Sequence, residues 1–234
     1  RKLAFVKAKL FPADGSDTAS NAAQTAGAGA VAARAKRPDV IVIGRQYGCG
    51  GSEFGRALAE YFDYDFYDKE IIQMTAGTTG YVPEFIKKQE ETMTNSLLYD
   101  LVNQMYIYSA EHETSKDRIF TAESKVIGEL AAKGKCVIVG RCADYILRDA
   151  KNCLRIFLQA PFDERVRRVM ERENLSQEEA REKIRKEDHY RTENYRYYTG
   201  QMWGVAANYD LCYHTGYGVE LLEDTIEDMM RIER

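Results

Sequence analysis

Residues 40–55 read VIVIGRQYGCGGSEFG. Four β-branched apolar residues, Val40, Ile41, Val42 and Ile43, run into a glycine-rich turn, after which a helical pattern resumes. The apolar run predicts a short buried strand. Gly48, Gly50 and Gly51 allow backbone angles and close approach that a side chain would block. Ser52 is placed to open a helix, whose first N–H groups lack intrahelical partners and favour an anion. Against the phosphate-loop pattern G-x-x-x-x-G-K-[S/T], Ser52 holds the hydroxyl position and Gly50 the second glycine. Gly51 stands where lysine is expected, and Arg45 where the first glycine is, with Gly44 one residue early. The segment therefore reads as a degenerate phosphate loop that has lost its cation.

The rest of the chain alternates in the same way. Apolar runs at 39–44, 136–140 (CVIVG), 153–160 (CLRIFLQA) and 209–215 (YDLCYHT) predict strands, with a shorter one at 65–67. Helices are expected over 52–62, from 68 onward, through much of 83–133, over 162–173 and over 219–232. In the 83–133 stretch Leu97, Leu98, Leu101, Val102, Met105 and Tyr106 recur at three- and four-residue steps. Ser176 and Glu179 form a capping-box pair opening a charged helix toward His189. Strands buried on both faces and separated by helices imply an α/β fold with a parallel sheet between helical layers. Ligands of such sheets sit beyond the C-terminal strand ends, where the glycine loop and Arg141 both fall.

Residues 1–38 differ from the remainder. They are rich in Ala, Gly, Ser and Thr and bear few large apolar groups, too few to offset the entropy of ordering. They are expected to form a flexible linker or N-terminal arm, with 39–234 as the folded domain and an upstream domain as a candidate partner. At 234 residues and 44% hydrophobic, the chain suffices for one good-sized core. A net charge of −4 and a pI near 5.6 argue against broad nucleic-acid binding. No apolar run spans a bilayer, so no membrane partner is expected. The five cysteines, Cys49, Cys136, Cys142, Cys153 and Cys212, show no C-x-x-C pair and read as reduced thiols of a cytoplasmic protein. Cys49 is the exception to watch, because a helix N-terminus lowers a thiol pKa. His112, His189 and His214 share no metal-binding motif.

Two basic features complete the sequence reading. Arg141 follows a buried strand and should enter the crevice, where a guanidinium suits a phosphate or carboxylate; the alternative is a structural ion pair with Asp144 or Asp149. RKEDHYRTENYR, 185–196, sets Arg185, Asp188, Arg191 and Tyr195 near one helical face. It reads either as a solvated charged helix or as a lid carrying arginines onto a transferring phosphoryl group.

RQYGCGGSEFGRALAE, FYDKEII, VIVGRCADYIL, DERVRR, RKEDHYR and YDLCYHT, in that order, together resemble the cytidylate kinase-like family, within the nucleoside monophosphate kinases. The resemblance runs from Asp39 to the C-terminus. It implies a three-layer phosphate-loop kinase fold with a five-stranded parallel sheet, a helical acceptor-binding part and a lid. It further implies transfer of the γ-phosphoryl of ATP to CMP or dCMP, with Mg²⁺ as cofactor. By position, Gly48, Cys49, Gly50, Gly51 and Ser52 would cradle the donor phosphates, with the Ser52 hydroxyl as the magnesium contact. Asp68 and Lys69 would face the acceptor, Lys69 standing where cytidylate kinases carry serine. Arg141 would bind the acceptor phosphate, and Arg165 and Arg168 would lie beside the donor nucleotide. Asp188 and Arg191 match the D-x-x-R of the lid, with Arg185 as an additional cation. The chain departs from the pattern at Gly51, and at Val139 and Cys142, where acids that read the nucleotide are expected. Arg45 and, from the acceptor side, Lys69 are the cations nearest to replacing the lysine. Three functional readings follow: an ATP-dependent kinase of a small phosphorylated acceptor, a nucleotide-binding module that turns over weakly or not at all, or a kinase of another small molecule.

Overall fold

A computed structural model of the chain describes residues 38–81, 83, 84, 86 and 115–231. Apart from Pro38, the expected linker over 1–38 lies outside these residues. So does the apolar periodicity from Leu97 to Tyr106.

The glycine loop joins strand β1 (Val40–Arg45) to helix α1 (Gly51–Phe62). β2 (Asp65–Tyr67), α2 (Glu70–Thr79) and α3 (Ser115–Lys133) follow. Then come β3 (Cys136–Val139), a single turn α4 (Ala143–Ile146), β4 (Cys153–Gln159), α5 (Phe162–Glu173) and α6 (Gln177–Thr199). β5 (Leu211–His214) and α7 (Val219–Arg231) close the described chain. The strands form one five-stranded sheet in the order β2-β3-β1-β4-β5, every neighbouring pair parallel.

The two-residue alternation of a strand sorts β1 onto both faces of the sheet. Ile41 and Ile43 pack with Val137, Val139, Ile156 and Leu158 against Leu58 and Phe62 of α1 and Leu222 and Ile226 of α7. Val40 and Val42 join Cys136 and Ile138 on the other face, against Ile71 of α2 and Val126, Ile127 and Leu130 of α3. With both faces covered, every strand residue from Val40 to Ile43 is buried, which is why the sequence shows an unbroken apolar run. The result is the three-layer α/β arrangement expected from the sequence.

Register positions the site. Ile43 lies opposite Val139 on one side and Ile156 on the other, so β3 ends beside Ile43, two residues before β1 ends at Arg45. The Gly140 N–H donates to the Ile43 carbonyl at 2.9 Å, holding the loop after β3 against the root of the glycine loop.

Candidate functional site

A cleft of about 680 Å³ opens at these strand ends. Its wall includes Arg45, Gly48, Gly50, Gly51, Ser52, Asp68, Lys69, Arg141 and Arg191. Gly50 caps α1 in a left-handed conformation, φ 90°, which glycine adopts without steric cost. Helix α1 thus begins at Gly51, one residue earlier than the sequence predicts.

The loop is held from outside by α5 and α6. The Tyr47 N–H donates to Asp188 Oδ1 at 2.8 Å, and Arg165 donates to both Asp188 Oδ2 and the Tyr47 carbonyl. Arg168 donates to the Cys49 carbonyl at 2.8 Å and to Thr215 Oγ1 at 3.0 Å. Arg191 donates to the Arg45 carbonyl at 2.8 Å and lies over the Tyr47 ring, with Arg172 also over that ring. Asp188 and Arg165 are thus a clamp on the backbone of the loop, and neither lines the cleft. Arg168 is likewise off the wall, and Arg185 lies over the Phe162 ring, which carries it out of the site altogether. Of the arginines singled out on the charged helix, Arg191 reaches the cleft, whose wall Glu187, Tyr190, Asn194, Tyr195 and Tyr198 of the same helix also line.

Cys49 also points away from the cleft. Its thiol is fully enclosed and donates to the Leu158 carbonyl at 3.5 Å. Burial pushes it up to about 11, against the opposing pull of Arg191, Arg45, Arg165 and Arg168. The expectation of a thiol activated by the helix N-terminus is therefore overturned: desolvation outweighs the dipole.

On the far side of the cleft, Arg141 donates to Glu123 Oε1 at 2.9 Å. The partner is neither Asp144 nor Asp149, because α3 brings Glu123 in from 18 residues upstream. Arg141 is aimed there by an unusual turn. Gly140, Arg141 and Cys142 have successive φ values of 82°, 56° and 54°, closed by the Ala143 N–H to the Gly140 carbonyl at 3.0 Å. Each non-glycine residue held left-handed costs about 1–2 kcal/mol, and such strain gathers at functional sites. Asp144 is buried beneath this turn and accepts from the Tyr195 hydroxyl at 2.7 Å, tying α6 to the cleft floor. Burial raises its pKa, over the opposing hydrogen bond from Tyr195. Glu123, Asp144, Trp203 and the stacked pair Phe120–Tyr198 all line the cleft, and sequence reasoning singled out none of them for it. Their common signal is weak: isolated acids and aromatics, all but Trp203 on helices, brought together by tertiary packing alone.

Ser52 and Asp68 meet at the junction of the two sides. The Ser52 hydroxyl donates to Asp68 Oδ2 at 2.6 Å, and Asp68 Oδ1 lies 3.7 Å from Arg45 Nη2. A hydroxyl and a carboxylate converging at a phosphate loop form a hard-oxygen set that suits Mg²⁺, which takes one or two protein oxygens and completes its shell with water and phosphate. Among the described residues there is no cluster of three His, Cys, Asp or Glu side chains suited to a metal. None of the described helices is long and apolar enough to cross a membrane.

Residues 40–217 match the model of the cytidylate kinase-like family. Among solved structures the chain is similar to an uncharacterized protein from Eubacterium ventriosum, with 26% identity, 83% of this chain and 98% of that chain covered, and a TM-score of 0.61. It is also similar to a shikimate kinase from Bacteroides thetaiotaomicron, with 13% identity, 82% and 98% coverage and a TM-score of 0.48. A gluconokinase from Sinorhizobium meliloti matches at 14% identity, 83% and 93% coverage and a TM-score of 0.46. No curated protein matches the chain.

Proposed function

The chain belongs to the cytidylate kinase-like family, and on that premise we propose that it transfers the γ-phosphoryl group of ATP to a small phosphorylated acceptor, a nucleoside monophosphate of the CMP or dCMP class. The observation that carries this reading is the convergence of Arg45, Arg141 and Arg191 on one cleft beside a glycine loop and the Ser52–Asp68 pair. Phosphoryl transfer asks little covalent chemistry of a protein and depends on positioning and charge stabilisation. An acceptor phosphate oxygen forms the new bond to the γ-phosphorus as the bond to the β,γ-bridging oxygen breaks, and that electron pair leaves on ADP. The attacking oxygen is already anionic, so no strong base is required. Arg141 holds the acceptor phosphate, and Arg191 neutralises charge on the group in flight. Ser52 and Asp68 would hold Mg²⁺, which supplies charge neutralisation on the donor phosphates.

Val139 and Cys142 stand where cytidylate kinases carry acids, yet the cleft does not lack carboxylates. Glu123 and Asp144, both 6% exposed, supply acceptor oxygens for the N–H groups of a base. Release of ADP, followed over a panel of nucleoside monophosphates, tests the reading. Turnover is expected with one or more pyrimidine monophosphates, and Arg191→Ala is expected to lower it by about two powers of ten or more, with ATP affinity little changed. Nucleotide binding without turnover across the panel would instead identify a non-catalytic module, the reading that the missing loop lysine favours.

A further inference from the structure

The lysine of a phosphate loop normally reaches the β- and γ-phosphates from the residue before the Ser/Thr, which here is Gly51. A Cβ at position 51 would stand 2.5 Å from Arg45 Cγ and 2.9 Å from Arg45 Cβ. Contacts that short do not occur, so the aliphatic stem of Arg45 already fills the space from which a lysine would start. The guanidinium end behaves in the same way toward the other side of the cleft. A Cβ on Gly140 would overlap Arg45 Nη1 and stand 2.7 Å from Cζ. Arg45 therefore lies stretched between two glycines, one opening α1 and one following β3, and both positions must lack a side chain for it to do so.

From this reciprocity we infer that Arg45 is the donor-phosphate cation of this protein, delivered from the end of β1 across Gly51 in place of a lysine at position 51. The inference rests on the phosphoryl-transfer reading above and names the residue that makes it workable. Three further observations support it. The guanidinium lines the cleft beside Gly50, Gly51 and Ser52. Its nearest carboxylate, Asp68, is 3.7 Å away and is already engaged by the Ser52 hydroxyl at 2.6 Å. Burial, together with the neighbouring charges of Arg191 and Arg141, lowers its pKa to about 10 despite Asp68. Arg45 thus remains protonated at neutral pH, in a cluster of like charge that an anionic ligand relieves. Its backbone carbonyl is meanwhile pinned by Arg191, so the β1 end cannot drift away from the loop.

The exchange is testable because it is reciprocal. Arg45→Gly clears Cβ as well as Cγ from the space above position 51, and Gly51→Lys then restores a cation in the ordinary place. Arg45→Ala is expected to lower turnover about a hundredfold or more, and to weaken binding of ATP and of inorganic tripolyphosphate at least tenfold. Arg45→Gly combined with Gly51→Lys is expected to recover at least tenfold of each loss. Gly51→Lys alone, made with Arg45 in place, is expected to lower the melting temperature through the 2.5 Å clash. Equilibrium binding of tripolyphosphate separates this inference from the kinase reading. A parent chain that binds tripolyphosphate through Arg45 yet releases no ADP removes the kinase and keeps the cation. If Arg45→Ala binds and turns over within threefold of the parent while melting like it, or if Gly51→Lys brings no recovery, Arg45 is not the donor-phosphate cation. A parent chain that binds no tripolyphosphate removes both.

Discussion

Cys49 shows how two local effects compete at one atom. It stands two residues before α1, where unpaired N–H groups and nearby arginines both favour a thiolate. Enclosure wins, and the thiol is pushed up to about 11. Cys212, on the edge strand β5, is exposed, and the partial burial of its thiol raises its pKa. With iodoacetamide at pH 8, mass spectrometry should therefore find Cys212 modified first and Cys49 only as the chain unfolds. Modification of native Cys49 at the rate of an exposed thiol would contradict its enclosure. At this scale the sequence was legible where a residue's role depends on its chain neighbours. The glycines of the loop and the Ser52 hydroxyl are set by positions a few residues away, and they line the cleft as the spacing predicts. Arg45 was legible only as the nearest cation. That its stem excludes a side chain at Gly51 depends on how the end of β1 directs it, which no spacing rule reports. Cys49 failed for a related reason: helix termini can be read in a sequence, whereas enclosure requires the whole fold.

Among the elements, α6 combines the most readable start with the least readable course. The capping box forms as predicted: the Ser176 hydroxyl accepts from the Glu179 N–H and the Glu179 side chain accepts from the Ser176 N–H. The helix continues past His189 to Thr199, because its second half is fastened by aromatic hydroxyls. Tyr195 donates to Asp144, Tyr197 to Asp117 at 2.7 Å, and Tyr198 to the Lys116 carbonyl at 3.2 Å while stacking on Phe120. Of the residues read as one functional face, Arg191 enters the cleft, Asp188 grips the loop and Arg185 turns to Phe162. A helix carrying charge at every turn gives no periodicity to distinguish these fates; only its neighbours do. The helix crosses from the glycine loop to α3, so it joins the two sides of the cleft. Tyr195→Phe tests that tie. It deletes one donor to a buried carboxylate and should cost about 1–3 kcal/mol in chemical denaturation. A change below about 0.5 kcal/mol, the range of ordinary surface substitutions, would show that Asp144 does not depend on α6.

For the molecule as a whole, the apolar runs specified the strands well because a parallel sheet covered on both faces leaves little else for them to be. Strand order, by contrast, follows from packing that the sequence does not display, and it is the order β2-β3-β1-β4-β5 that sets Arg141 beside Arg45. Cohesion across the site also depends on one carboxylate at the edge of the cleft. Glu173, at the end of α5, accepts from the Tyr47 hydroxyl at 2.6 Å and from Arg172, and pairs with Lys183 of α6. It thereby joins the glycine loop, α5 and α6. Burial alone would raise its pKa, but hydrogen bonds from Lys183, Tyr47 and Arg172 together outweigh it and hold the group down at about 2, against an ordinary 4.5. A carboxylate depressed on folding stabilises the native state above its unfolded pKa, and that contribution is lost as pH falls through the folded value. That contribution is present in full above about pH 5 and is lost between about pH 4.5 and 2. Replacing Glu173 by Gln should therefore lower stability at neutral pH and flatten the acid limb, so that parent and variant curves converge toward pH 2. Curves that stay parallel across that window would mean that Glu173 titrates no differently in the folded and unfolded chains. The loop, α5 and α6 would then be held together by the Asp188 clamp and the Arg191 contact without it.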